Sequence, residues 1–469
     1  MKKTFLLLML FCMYSILGQT KLVSVGLELK KSSDYHQVLP TVNSLTKEVY
    51  VLAGDKEKNT LVKFNSALFF ADSLQTKKVK NYPSAIATSF SEDGNPVYYW
   101  ASEDFKQFMA VTYNFKQRTT NSVFFDIPLT NETVLTSFSK NNHFYILSIH
   151  DLSKKVKLYV FEGNTFAEKI FDLEIYNPKE LIETPFSLSN FLKTNPLEVV
   201  DNEVFNPLFI GCNKIKIYPL NDKLLFTFDF NFSQTQILEI DWKTYEIIEK
   251  KFSQETLKSG VGKSNSFYHN GNLYQFKANE TQLIISKHDY SGKEPTLQYS
   301  VMQNEVISFK NSPLYMQSGN YQPQEIKNTQ KFLNRLKNKS LGLTVYKTQN
   351  DLLFTVGGTN NVLSSGSLVI GSLVTIGGII AGGEVYSPDL YANEITQNVF
   401  FECRFDSEFK PKQSPFDPLA EDFISGFLQE NNSIITYNRI KYKDYYILSY
   451  YDSKAKQLIL RKFEDGYSF

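Results

Sequence analysis

The side chains that most often carry enzyme chemistry are few in this sequence and widely spaced. Its five histidines, His36, His143, His150, His269 and His288, form no His-x3-His pair and meet no Cys-x2-Cys, the spacings by which a helix or a knuckle presents ligands to zinc. His150 and His288 each precede an aspartate, Asp151 and Asp289, and read as turn residues. Acidic turns such as Asp452-Ser453 and Asp229-Phe230-Asn231 lack the oxygen density of a calcium loop. No Gly-x-Ser-x-Gly elbow offers an activated serine. Gly260-Val261-Gly262-Lys263-Ser264 echoes a phosphate loop but lacks four residues between its glycines, and reads as a linker. Spacing therefore nominates no catalytic residue, no cofactor and no metal. A carboxylate pair gathered from distant segments is an arrangement that spacing does not test.

Two other groups point to contacts rather than catalysis. Residues 324–338 place Ile326, Phe332, Leu333 and Leu336 on a rough apolar stripe, with Pro323 ahead of them as a helix start signal. The other side holds Lys327, Lys331, Arg335, Lys337 and Lys339 against Glu325. That is a basic patch suited to an acidic partner or to anionic headgroups, and equally the solvated side of a packed helix. Pro418 to Leu428 repeats apolar residues at Leu419, Phe423, Ile424, Phe427 and Leu428, a second helix read as packing.

The other group is residues 362–383, with ten aliphatic side chains and six glycines; no charge occurs from Leu352 to Gly383. Leaving all ten in water would forgo about 15–30 kcal/mol, so cover is expected. Gly371-Ser372 suits a hairpin turn between Leu368, Val369, Ile370 and Leu373, Val374, Ile376, with Ile379 and Ile380 beyond. Six glycines weigh against an isolated helix by about 1 kcal/mol each relative to alanine. Three destinations are open: packing over the fold or its channel, contact with a partner or a second copy, and a dip into a membrane, the least favoured of the three.

The elements that must position these groups come from a repeat. Seven times, an apolar strand, a polar turn and a second alternating strand follow one another, as at 48–53 and 60–64, 97–100 and 108–113, 144–149 and 156–161, 224–228 and 236–240, 273–276 and 282–287, 352–356 and 399–405, and in a C-terminal unit at 433–437, 445–450 and 458–463. Further short strands precede several of these, for instance at 85–90, 134–138 and 214–218. Four short antiparallel strands at a period near 50 make a propeller blade, because a four-stranded sheet needs neighbours to cover both faces. The expected fold is all-β: a seven-bladed β-propeller of four-stranded antiparallel blades, with helical and Gly-rich insertions on one face. The 39 Phe and 28 Tyr suit such β-rich packing.

One unit carries a family likeness. Phe90-Ser91-Glu92-Asp93-Gly94, followed by Val97 to Trp100 and Ser102-Glu103-Asp104, resembles the Ser-Pro-Asp-Gly repeat of WD40-like propellers of the TolB type, with Glu92 in place of the proline. It covers about 20 residues and implies the fold alone.

The alternating stretch from Lys21 to Leu29 is expected to pair on the last blade and close the ring, removing an edge. Interruptions fall at 177–213, 304–340, 359–398 and 414–432, with a shorter link at 77–84. Links between blades and turns between second and third strands emerge on one face, so the long insertions are expected to share it. Long loops on a rigid scaffold are where binding is usually placed.

Residues 1–18 read as a signal peptide: Lys2 and Lys3 precede an apolar run from Phe5 to Leu17, and Gly18 precedes the expected cut. Cys12 lies inside that run, and Phe11 before it is too large for a lipoprotein signal. The mature chain, 19–469, is expected to be a single propeller domain, exported to the periplasm, the outer surface or the medium. Without Lys2 and Lys3 the 50 basic residues become 48 against 49 acidic ones, which argues against nucleic acid as partner. Cys212 and Cys403 fall in different units and are expected to be buried free thiols. The reading is a non-catalytic binding or scaffold protein with an unknown protein or glycan ligand. The alternative is a propeller enzyme acting on glycans or peptides through carboxylates at the central channel.

Overall fold

The computed structural model describes residues 19–30, 36–102, 107–126, 129, 131–177, 187–292, 295–318, 321–349, 351–360, 397–414 and 417–466. Residues 1–18 and the apolar residues Leu368, Val369, Ile370, Leu373, Val374, Ile376, Ile379 and Ile380 lie outside them.

The thirty strands among the described residues form seven antiparallel-based sheets, five of four strands and two of five. These are the seven expected blades. Strands are lettered A to D outward from the axis. Blade 1 comprises Gln37–Val42, Val49–Gly54, Lys58–Phe64 and Phe70–Lys77, and blades 2, 3 and 5 repeat its order. The inner strands are buried on both sides: every residue of Pro96–Ala101, strand B of blade 2, is buried. That is why these strands read as apolar runs rather than strict alternations, since a neighbouring blade covers each face. Aromatic rings fill the gaps between blades. Tyr99 of blade 2 lies 5.2 Å from the Phe144 ring and 5.5 Å from that of Phe161, both in blade 3, within the range of favourable ring pairs. Tight turns join A to B. Asn270 and Gly271, both at positive φ (44° and 76°), make the two-residue turn that matches strand twist, and Gly94 sits at φ 75° in the Asp-Gly turn of blade 2.

The ring closes as expected. Gln19–Gly26 pairs antiparallel with Gln457–Phe463, Val25 opposite Leu458 and Val23 opposite Leu460, so it supplies strand D of blade 7. Strand A of that blade is Tyr437–Tyr442, later than the 433–437 expected. Leu458 and Leu460 would otherwise form a bare edge.

Blades 4 and 6 depart from four strands. In blade 6, strands A, B and C are Ser340–Lys347, Leu352–Thr359 and Gln397–Phe405. Its outer strands, Leu314–Ser318 and Gln324–Ile326, come from upstream of strand A. Residues 304–340 are therefore part of the blade, and the expected helix over 324–338 shrinks to Thr329–Leu336, capped by the Asn328 side chain rather than started at Pro323. In consequence 414–432 does not link a strand D to a strand A. It leaves strand C at Phe405, which pairs with Leu352 at the opposite end of the blade from Thr359 and Asn398. It thus starts on the other face, and its helix Ala420–Glu430 packs Ala420, Ile424 and Phe427 on blade 7.

Candidate functional site

The four α-helices among the described residues are numbered in chain order: α1 Leu188–Thr194, α2 Leu208–Gly211, α3 Thr329–Leu336 and α4 Ala420–Glu430. The link between blades 3 and 4 carries the first two, and it enters the channel. After α1, Leu197–Val199 runs parallel to strand A of blade 4 (Ile215–Pro219), Leu197 beside Ile215 and Val199 beside Ile217. It is added on the axial edge of that blade. The chain then turns: Asn206 Nδ2 donates to the Asp201 carbonyl at 2.8 Å and to that of Val204 at 3.0 Å. α2 returns against strand A of blade 6, where Gly211 meets Gly342 and Leu343 backbone to backbone. Residues 195–213 therefore fill the channel as a plug, rather than only decorating one face.

Both ends of the plug are stapled. At its tip the Phe205 N–H donates to Tyr446 Oη at 3.0 Å, Tyr446 hydrogen-bonds Tyr346, and Tyr346 donates to Asp465. Asp465 also accepts from the Ala420 N–H at the start of α4, at 2.8 Å. Burial pushes both tyrosine hydroxyls far above their ordinary range, so they remain protonated donors. At its exit, Lys216 Nζ donates to the Asn213 carbonyl and to Asn265 Oδ1, each at 2.7 Å, and pairs with Asp229 at 3.2 Å. Asp229 accepts in addition from Thr235 Oγ1 and from the N–H and hydroxyl of Ser266. Both ions are fully buried, and burial pulls the Lys216 ammonium below its usual range against the pull of Asp229. An ion pair of this kind holds geometry when its remaining donors and acceptors are met, as here.

The channel reading of catalysis needs carboxylates converging on an open cleft. Asp229 is instead enclosed and engaged by four donors. Among the described residues no three His, Cys, Asp or Glu side chains are grouped to hold a metal ion. Cys212 and Cys403 are buried free thiols, as expected. His288 is not in a turn: it is buried in strand C of blade 5, bonded through Nε2 to Gln275 at 2.7 Å. A cleft of about 180 Å³ opens between the outer strands of blades 1 and 2, beside Trp100, Tyr113 and Gln75. It is smaller than ordinary small-molecule sites of ~300–1,000 Å³.

The basic residues expected to make contact stand elsewhere. Phe332, Leu333 and Leu336 of α3 are buried, and Lys327, Lys331 and Arg335 are exposed. Lys337 pairs with Glu280. Lys339 is not part of the basic face: its ammonium is turned inward, donating to Asn360 Oδ1 at 2.9 Å and Gln397 Oε1 at 2.8 Å. Those two residues flank 361–396, the stretch of sequence that holds the charge-free run 362–383, and are joined by the Asn360 N–H donating to the Gln397 carbonyl. The basic residues of α3 and the neck of the insertion thus share one corner of blade 6, at the face of the inter-blade links and B-to-C turns. We call this the link face, and the face of the A-to-B and C-to-D turns the turn face.

Sequence reasoning missed the staples. Lys216 between Ile215 and Ile217 was their only local signal, a lone charge inside an apolar strand.

No protein-family model matches the chain, and no curated protein matches it. The resemblance of blade 2 to TolB-type repeats therefore rests on its own residues. Among solved structures, the chain is similar to an uncharacterized protein from Listeria monocytogenes EGD-e, at 9% identity and a TM-score of 0.33, over 93% of this chain and 96% of that one. It is also similar to the WD40 domain of SCAP from fission yeast, at 10% identity and a TM-score of 0.28, over 96% and 98%. A third likeness is to a mutant of Synechocystis apocarotenoid oxygenase, at 7% identity and a TM-score of 0.26, over 57% of this chain. The match takes in 64% of that protein, less than two thirds of its length. Likenesses this slight carry no argument about function.

Proposed function

We propose that this chain is an exported, non-catalytic binding or scaffold protein that uses the link face of its propeller. The observation that carries this is the plug. With residues 195–213 in the channel and Asp229 enclosed by donors, the axial position of most use to a propeller enzyme is occupied by the chain itself. Long loops held on a rigid ring are left as the working surface. On that surface stand Lys327, Lys331 and Arg335 and the neck at Asn360 and Gln397. The apolar residues Leu368, Val369, Ile370, Leu373, Val374, Ile376, Ile379 and Ile380, which fall in sequence between Asn360 and Gln397, are the proposed partner contact, a protein or glycan ligand being the class sought. Export rests on Lys2, Lys3 and the apolar run that follows.

The test is a turnover assay of the purified chain against glycan and peptide libraries, with N-terminal sequencing of the secreted product. The expected results are no turnover and a mature chain beginning at Gln19. Turnover that is lost on replacing Asp201 or Asp465, the carboxylates at the plug's tip, would overturn the reading in favour of the enzyme.

A further inference from the structure

Large apolar side chains are distributed unevenly over the two faces. On the link face Leu152, Ile175, Phe232, Val261, Val306 and Ile435 are between 53% and 80% exposed. They come from B-to-C turns and inter-blade links of blades 3 to 7. On the turn face the comparable residues are Leu45 and Phe69. Six such tips on the link face against two on the turn face mark the link face as the more apolar of the two.

The charges beside these tips select the partner. Lys154 and Lys155 follow Leu152 in the same turn, Lys258 precedes Val261, and Lys331 and Arg335 stand on α3. All five are exposed, and none makes an ion pair among the described residues. Of the acids on these links and turns, Asp151 pairs with Lys193, Glu280 with Lys337, Glu57 with Lys30 and Glu28 with Lys456, while the exposed Glu305 and Glu325 are fewer than the five unpaired cations. Unpaired cations beside apolar tips on several blades complement an anionic surface into which apolar groups can insert. A folded protein partner would need matched relief across several blades; a lipid surface needs none.

Resting on the binding-face reading above, we infer that the link face docks peripherally on an anionic lipid surface. Leu152, Phe232 and Val261 insert at headgroup depth, and Lys154, Lys155, Lys331 and Arg335 face the headgroup charges. No described helix is long and apolar enough to cross a membrane, and this attachment requires none.

Co-sedimentation of the full mature chain with vesicles tests it, using phosphatidylglycerol mixed into phosphatidylcholine against phosphatidylcholine alone. The expected result is binding to the acidic vesicles that weakens as salt is raised. Lys154→Gln with Lys155→Gln should weaken it roughly fivefold for each cation removed. Leu152→Ser with Phe232→Ser should weaken it at constant charge. Lys116→Gln, on the turn face, should leave it unchanged, and all variants should melt like the parent because the altered side chains are exposed. Absence of binding to acidic vesicles, or equal loss with Lys116→Gln, would overturn the inference. If vesicles fail but the mass of a self-associated form falls with Phe232→Ser, the lipid inference falls and the binding face stands. If neither responds, both fall.

Discussion

Gly211 of the plug lies directly against Gly342 of blade 6, so close that a methyl group added to Gly342 would come within 2.5 Å of the Gly211 carbonyl. Two backbones meet there with no side chain between them. Gly342→Ala must displace either α2 or strand A, and overpacking of this kind costs typically about 1–3 kcal/mol. The expected outcome is a lower Tm by scanning calorimetry, with faster proteolysis inside 195–213. An unchanged melt would mean that the plug is not seated as described.

The Lys216–Asp229 pair makes a second, sharper test. Lys216→Met leaves a buried carboxylate facing fewer donors, and breaking such a pair costs on the order of 3–5 kcal/mol. Removing both charges, as Lys216→Met with Asp229→Leu, should restore part of that loss. Urea unfolding of the two single variants and the double variant gives the coupling; strictly additive losses would show that the two residues act independently.

Closure of the ring predicts a different failure. Deleting Gln19–Gly26 uncovers Leu458 and Leu460 and removes the half-buried Leu22, Val23 and Val25, together worth roughly 3–6 kcal/mol. The truncated chain should melt earlier and aggregate in a concentration-dependent way through the bare strand. Light scattering at two concentrations measures both effects.

One half-buried carboxyl sets a pH dependence. Glu402, in strand C of blade 6, is pushed up to about 7 by burial and then by the nearby Asp422 of α4. In the unfolded chain it ionises near its ordinary 4.5. Folded and unfolded chains are both protonated below that value, so the cost of burial is absent there. Stability should fall as pH rises from about 4.5 to about 7 and stay lower above. Glu402→Gln should match the parent at low pH and exceed it at pH 8 by on the order of 1–3 kcal/mol, read from unfolding midpoints across that range.

The parts of this fold that sequence discloses are those written locally. Polar turns between apolar runs recur in every blade, and the alternation from Lys21 to Leu29 marks the closing strand because each residue's environment follows from its neighbours. The outer strands of blade 6 are illegible for the opposite reason. Leu314–Ser318 and Gln324–Ile326 are edge strands of five and three residues, too short for a period, and their place is fixed by strand C some eighty residues on, where Tyr315 meets Phe400. The plug is similar: Leu197–Val199 is a strand only because Ile215 and Ile217 lie beside it. Lys216 could be noticed, but its partners Asp229 and Asn265 are 13 and 49 residues away. At the contact site, the basic side chains of α3 were legible from their spacing. Lys339 was not, because its inward turn depends on Asn360 and Gln397, brought together only by blade 6.

The direct test of binding through the link face is the effect of removing residues 362–383 on association. Thr359 still pairs with Asn398 at the neck and Lys339 still holds Asn360 and Gln397, so the shortened chain should keep the parent's Tm. Its mass by light scattering and its partition between soluble and membrane fractions should shift toward a free monomer. An unchanged mass and an unchanged partition, with the fold intact, would contradict a binding role for that insertion and return the function to another surface.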